Sequence, residues 1–167
     1  MTKPIKSFAK RVDAEITIEE HLTERRGKRL FLVSQELRDL IKKSGEMYHY
    51  AGVFLGRFKN GGFIPSFPLL FMLADKAKNK IFVNDKAAWL FVCRRDIFKE
   101  GIIRVEGSAK KGDYSLVLNR RGECLGYGLI LQNPQEAEKG VIVKNILDVG
   151  DFLRRERKTR IRELMQI

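Results

Sequence analysis

The chain has 167 residues, enough for one ordinary domain or two compact ones, and its 44% hydrophobic content is sufficient for a buried core. No apolar run approaches the roughly 18 residues of a membrane-spanning helix, and Met1 to Lys10 lacks the apolar core of a signal peptide, so a cytoplasmic protein with no membrane partner is expected. The net charge of +12 and isoelectric point near 9.9 point to a polyanionic partner, and by charge alone RNA, DNA and an anionic membrane surface all fit.

A polar, charged stretch around His21 to Lys28 leads into Leu30-Phe31-Leu32-Val33, a short apolar run that reads as a buried strand. Ser34 stands where a helix N-cap belongs, Leu37, Leu40 and Ile41 follow at helical spacing, and Gly45 is a terminator. Tyr50 to Lys59 reads as extended, and Asn60-Gly61-Gly62 supplies a hairpin turn before Phe63-Ile64. After Ser66, the residues Leu69, Leu70, Met72, Leu73 and Ala77 have helical spacing, with Pro68 tolerated in the first turn.

From Lys80 the pattern changes to short strands separated by turns: Ile81 to Val83, Ile102 to Val105, Tyr114 to Leu118, Leu125 to Leu131 and Val141 to Ile146. Such spacing predicts a small barrel or sandwich. One helix interrupts it, with Asp85 as the expected cap before Ala87, Ala88, Trp89, Leu90 and Val92. Core packing is the stronger reading for Trp89, base stacking the weaker. Cys93 and Cys124 lie outside any metal-ligand or disulfide spacing and are read as small buried hydrophobes.

The basic excess is focused at the C-terminus. Arg154, Arg155, Arg157, Lys158, Arg160 and Arg162 oppose only Glu156 and Glu163. A helix starting near Asp148 or Asp151 would put Arg155, Lys158 and Arg162 on one face, suited to a phosphate backbone. Lys110, Lys111, Arg120 and Arg121 fall in expected loops, where ordinary surface charge is as good a reading as RNA contact. The segment from Gly56 to Gly62 starts like a phosphate-binding loop, but Phe63 occupies the position of the required lysine, so a hairpin turn is the better reading. His21 and His49 have no companion ligands, and neither hydrolase, zinc deaminase nor dinucleotide signatures occur. No enzyme activity, metal or cofactor is expected.

The order of residues from Ile81 onward is specific. Ile81-Phe82-Val83, the helix with Ala87 and Leu90, Asp96-Ile97-Phe98, Gly101-Ile102, Lys111-Gly112-Asp113, Gly122-Glu123 and Leu125-Gly126-Tyr127-Gly128 together resemble the PUA domain. This small RNA-binding module occurs in pseudouridine synthases, archaeosine transglycosylases and ribosome-assembly factors. Glycines 126 and 128 are expected to leave room where strands of a tight barrel cross. Upstream, Leu32-Val33-Ser34, Gly52 to Phe58 and Phe67-Pro68-Leu69-Leu70, with Asp148 to Arg154 at the other end, resemble archaeal homologues of the Nip-seven family. Eukaryotic members are nucleolar factors of pre-rRNA processing and large ribosomal subunit assembly, and the basic tail here is a departure from them.

The resemblance implies an α+β protein. Residues 1–78 would form an N-terminal α/β domain with a small, mostly antiparallel sheet and flanking helices, used for contacts with other ribosome-assembly proteins. Residues 79–167 would form a PUA-like β pseudo-barrel with short helices and a basic C-terminal segment. The expected function is that of a monomeric, non-enzymatic adaptor binding single-stranded or U-rich RNA, pre-rRNA above all, through Arg154, Arg155, Arg157, Lys158 and Arg160. The alternative is an RNA-modification enzyme, or its accessory subunit, docking tRNA or rRNA. Changing Arg154, Arg155 and Lys158 together to alanine is expected to lower RNA affinity and leave folding intact.

Overall fold

The computed structural model describes residues 2–45, 48, 50–151 and 154. These cluster into two compact α+β units, Met1–Ala77 and Lys78–Ile167.

The first unit opens with helix α1 (Lys3–Arg11), whose Ile5, Phe8, Ala9 and, just past its end, Val12 are buried. The i, i+3, i+4, i+7 spacing of these residues is the apolar stripe that folds this helix onto a core. Strands β1 (Thr23–Arg26) and β2 (Arg29–Leu32) pair antiparallel around Gly27-Lys28, so the charged stretch after His21 forms a hairpin. Helix α2 (Gln35–Ser44) is capped by Ser34, whose hydroxyl accepts from the Leu37 amide, and ends at Gly45 in the left-handed conformation. None of its residues is buried, and Leu40 is exposed, so its apolar spacing does not seat a core face.

Strands β3 (Val53–Lys59) and β4 (Gly62–Pro65) follow around Asn60-Gly61, both at positive φ as a two-residue hairpin turn requires. Helix α3 (Phe67–Ala74) is capped by Ser66 and buries Leu69, Leu70 and Leu73. The sheet runs β1-β2-β3-β4, antiparallel throughout.

The second unit contains β5 (Lys80–Val83), α4 (Asp85–Val92), β6 (Ile97–Phe98), β7 (Ile102–Glu106), β8 (Tyr114–Leu118), β9 (Cys124–Ile130) and β10 (Val141–Asp148). Its sheet order is β6-β10-β9-β8-β5-β7, with only β5 and β8 parallel. Strands β6 and β7 are joined by the short turn Lys99–Gly101 yet lie at opposite ends of that order. A connection this short forces the sheet to curl, giving a half-barrel around Ile81, Val83, Phe91, Val117, Ile130 and Val143. Gly126 and Gly128 allow the curl: a Cβ on Gly126 would stand 2.0 Å from the Leu147 carbonyl oxygen, and one on Gly128 would stand 2.2 Å from a Val143 methyl.

Candidate nucleic-acid interface

Helix α4 organises the surface of the second unit. Its cap is Asn84, whose Oδ1 accepts from the Ala87 amide at 2.9 Å; Asp85, the expected cap, is the first helical residue. Ala87 and Phe91, four residues apart, face the core. Trp89 falls between them on the opposite side and is 69% exposed, which overturns the core reading of this residue. Of its apolar neighbours, Ala88 is half-buried against the core, Val92 is half-buried and Leu90 is exposed. Cys93, likewise expected inside, is exposed because it caps the helix end, whereas Cys124 is buried.

The helix stops in a Schellman motif. Arg94 adopts φ 67°, its amide donates to the Phe91 carbonyl at 2.9 Å, and the Arg95 amide donates to the Leu90 carbonyl at 2.9 Å. Glycine is the usual residue here, because a side chain in the left-handed region costs about 1 to 2 kcal/mol. Arg94 is nonetheless exposed, so its side chain bears this strain at the surface.

The last carbonyls of α4 lack partners within the helix and are satisfied from elsewhere in the chain. Asn145 on β10 donates its Nδ2 to the Phe91 carbonyl at 2.7 Å, while its own amide donates to Asp96 Oδ1 at 2.9 Å. Arg154 donates Nη1 to the Val92 carbonyl at 2.6 Å and Nη2 to both oxygens of Asp148 at 2.8 Å. Asp148 is 1% exposed, so the guanidinium neutralises a buried carboxylate and places a cation at the negative end of α4. Gly150 makes the space: a Cβ there would lie 2.3 Å from the Val92 carbonyl oxygen and 2.7 Å from Arg154 Nη1.

Arg154 is thus fastened to α4 as well as being the first of the basic run. This geometry bears on the expectation that its replacement leaves folding intact, since Asp148 would be left buried without its cation. Strand β10 extends through Asp148, and helical conformation is found at Gly150, Asp151 and Arg154, not from Asp148 itself. Arg155, Arg157, Lys158, Arg160 and Arg162 lie outside the described residues, as do Phe152, Leu153 and His49.

The structure adds Arg94 and Arg95, both exposed just past the end of α4 where Arg154 is tied, and exposes Trp89 one turn earlier. The run Arg94-Arg95 was visible in the sequence; its exposure next to the C-terminal anchor was not. Lys110, Lys111, Arg120 and Arg121 are exposed, and Arg120 lies 3.7 Å from Asp85. No group of three or more potential metal-ligating side chains occurs among the described residues, and no described helix is long and apolar enough to cross a membrane.

A curled, mixed sheet closed by one short helix, with a cationic and aromatic exterior, defines the second unit as a small module of the PUA type. The family model described as "UPF0113 PUA domain" matches residues 79–157, so this unit carries a PUA domain. A curated relative, a UPF0113 protein from Archaeoglobus fulgidus, is 33% identical over 115 residues, or 65% of this chain. The chain spans 64% of that relative's length. A conserved PUA domain protein from Thermoplasma acidophilum shares the fold with a TM-score of 0.61 and 23% identity, covering 93% of each chain. A PUA domain structure from Aeropyrum pernix K1 gives a TM-score of 0.59 at 18% identity, covering 92% of this chain and 85% of that one.

Proposed function

We propose that the chain is a non-enzymatic RNA-binding adaptor of ribosome assembly, acting in the cytoplasm, with the PUA domain as its RNA contact. The observation that carries this reading is the tether of Arg154 to the end of α4, which starts the basic run from a fixed point beside exposed Arg94 and Arg95 and one helical turn from Trp89. Cations along a backbone supply affinity, and an exposed indole offers a stacking surface for an unpaired base. Single-stranded RNA suits both. The resemblance to the Nip-seven family directs the proposal to pre-rRNA, U-rich stretches included, and to large-subunit assembly. Exposed Leu40, Phe71 and Met72 on the first unit provide apolar surface for a protein partner in the same assembly.

Binding of a labelled single-stranded RNA across a salt series tests this reading. Arg155→Ala with Lys158→Ala, in a chain that keeps Arg154, is expected to weaken binding and reduce the slope of log K against log salt by about 1.4, at about 0.7 per phosphate contact. Wild-type affinity and slope in this variant would refute the assignment of the basic run, and turnover of tRNA or rRNA by the purified protein would overturn the non-enzymatic reading.

A further inference from the structure

The first unit concentrates cations at one end of its sheet. The register sets Arg26 opposite Arg29 and Arg29 opposite Arg57, so three arginines stand side by side on β1, β2 and β3. Like charges directly opposite one another on adjacent strands destabilise a sheet. Glu24 offsets one of them, binding Arg26 Nε at 2.7 Å. Arg29 and Arg57 form no ion pair among the described residues, and Arg29 instead lies over the Tyr50 ring at 4.9 Å.

The two hairpin turns add to this charge, since both close at the same end. The Phe58 amide donates to the Lys28 carbonyl at 2.7 Å, bringing the turn at Gly27-Lys28 against the end of β3. Between the turns lies a shallow cleft of about 440 Å³ lined by Arg25, Lys28, Phe58, Lys59, Asn60 and Gly61. Its lining has three cations and no carboxylate. The Arg25 guanidinium is 4.6 Å above the Phe58 ring and is held there by a 2.9 Å hydrogen bond from Nε to the Gly27 carbonyl. The rim is low, because a Cβ on either Gly27 or Gly61 would meet nothing within 4 Å.

We infer that this cleft is a second RNA contact, seating a phosphodiester of a single strand on Lys28 and Lys59 and offering the free face of the Arg25 guanidinium to the adjoining base. The stacked arginine favours RNA over an acidic protein segment. A guanidinium plane already backed by an aromatic ring is a platform for a nucleobase, and a carboxylate side chain has no planar ring to place on it. The inference rests on the reading of the chain as an RNA binder and extends it to the unit that the family resemblance assigns to protein contacts.

The test uses the full chain with Lys28→Gln and Lys59→Gln combined, both at exposed positions whose side chains pack on no core. The probe is a labelled single-stranded RNA of mixed sequence. Losing the one phosphate contact that the pair makes should cost about fivefold in affinity at 0.1 M salt and lower the slope by about 0.7. Arg25→Lys should weaken binding with an unchanged salt slope, because the charge stays and the stacking plane goes. Wild-type affinity and slope in the Lys28, Lys59 variant, with loss on changing Arg155 and Lys158, would overturn the cleft alone. Absence of RNA binding by the wild type would overturn the RNA reading of both units. Unchanged RNA binding with loss of binding to an oligoglutamate peptide would assign the cleft to an acidic protein and overturn the proposal.

Discussion

Arg154→Ala separates an anchoring role from an RNA-contacting one. The variant removes the only cation within hydrogen-bonding distance of Asp148 among the described residues and leaves that carboxylate 1% exposed. Breaking a buried ion pair from one side costs about 3 to 5 kcal/mol. The Arg154 side chain is 33% exposed, so water can enter the space it leaves and recover part of that cost, giving about 2 kcal/mol. Loss of the cation from the end of α4 adds about 0.5 kcal/mol. In a unit of fewer than 100 residues, each kcal/mol lowers the melting temperature by about 4 to 8 °C, so the second unit should melt about 10 to 20 °C lower. Circular dichroism melts of wild type, Arg154→Ala, Asp148→Asn and the double variant form the assay, and the cycle should give a coupling of at least about 1 kcal/mol. If Arg154→Ala melts within about 2 °C of wild type while losing RNA affinity, the internal pair is idle and the anchoring argument fails.

Arg94→Gly should raise the melting temperature slightly, since relief of about 1 to 2 kcal/mol of left-handed strain is partly offset by about 0.4 to 1 kcal/mol from the freer unfolded chain; RNA affinity should fall, and a lower melting temperature would refute the strain argument. Trp89 is the sole tryptophan, and at 69% exposure it should fluoresce like a solvated indole, accessible to acrylamide, and be quenched on RNA binding. Trp89→Ala should leave the melting temperature nearly unchanged; a loss above about 2 kcal/mol would put its side chain in the core. One thiol should react rapidly with a disulfide reagent at neutral pH, because Cys93 is exposed, while Cys124 should react only on unfolding. Burial pushes the Cys124 thiol from 9.0 up to about 11, so its share of stability is intact below about pH 9 and is lost as pH rises through 11. Gly150→Ala should mimic the loss of the Arg154 tether, and an unaltered melt would refute the close packing around that glycine.

Features closed by short-range hydrogen bonds could be read from the chain. Ser34 and Ser66 cap their helices through amides three residues on, and Asn60-Gly61 turns its hairpin through its own backbone preference. Strands β5 and β8 were equally visible as apolar runs, although their parallel pairing was not, since nothing local encodes it. Helix α1 escaped because Ile5, Phe8, Ala9 and Val12 are diluted by lysines and an early proline, yet its apolar spacing was there to find. Trp89 misled because every neighbour is apolar, and in an eight-residue helix the choice of face is settled by Ala87 and Phe91 reaching the sheet. At the candidate site, the basic run could be seen but its fastening could not: Val92 is 62 residues from Arg154, and Asp148 looked like any acidic residue before a helix.

That same fastening has a consequence for the order in which the chain can fold during synthesis. Helix α4 leaves the ribosome well before the two groups that complete its end, with Asn145 54 residues and Arg154 62 residues behind their carbonyl partners. At about 5 to 20 residues per second, the interval is several seconds, far longer than helix formation itself. Until then the Val92 carbonyl depends on water and Arg94 bears its strain without the neighbouring clamp, so stalled chains that end before Arg154 should present an incomplete PUA unit to cellular proteases.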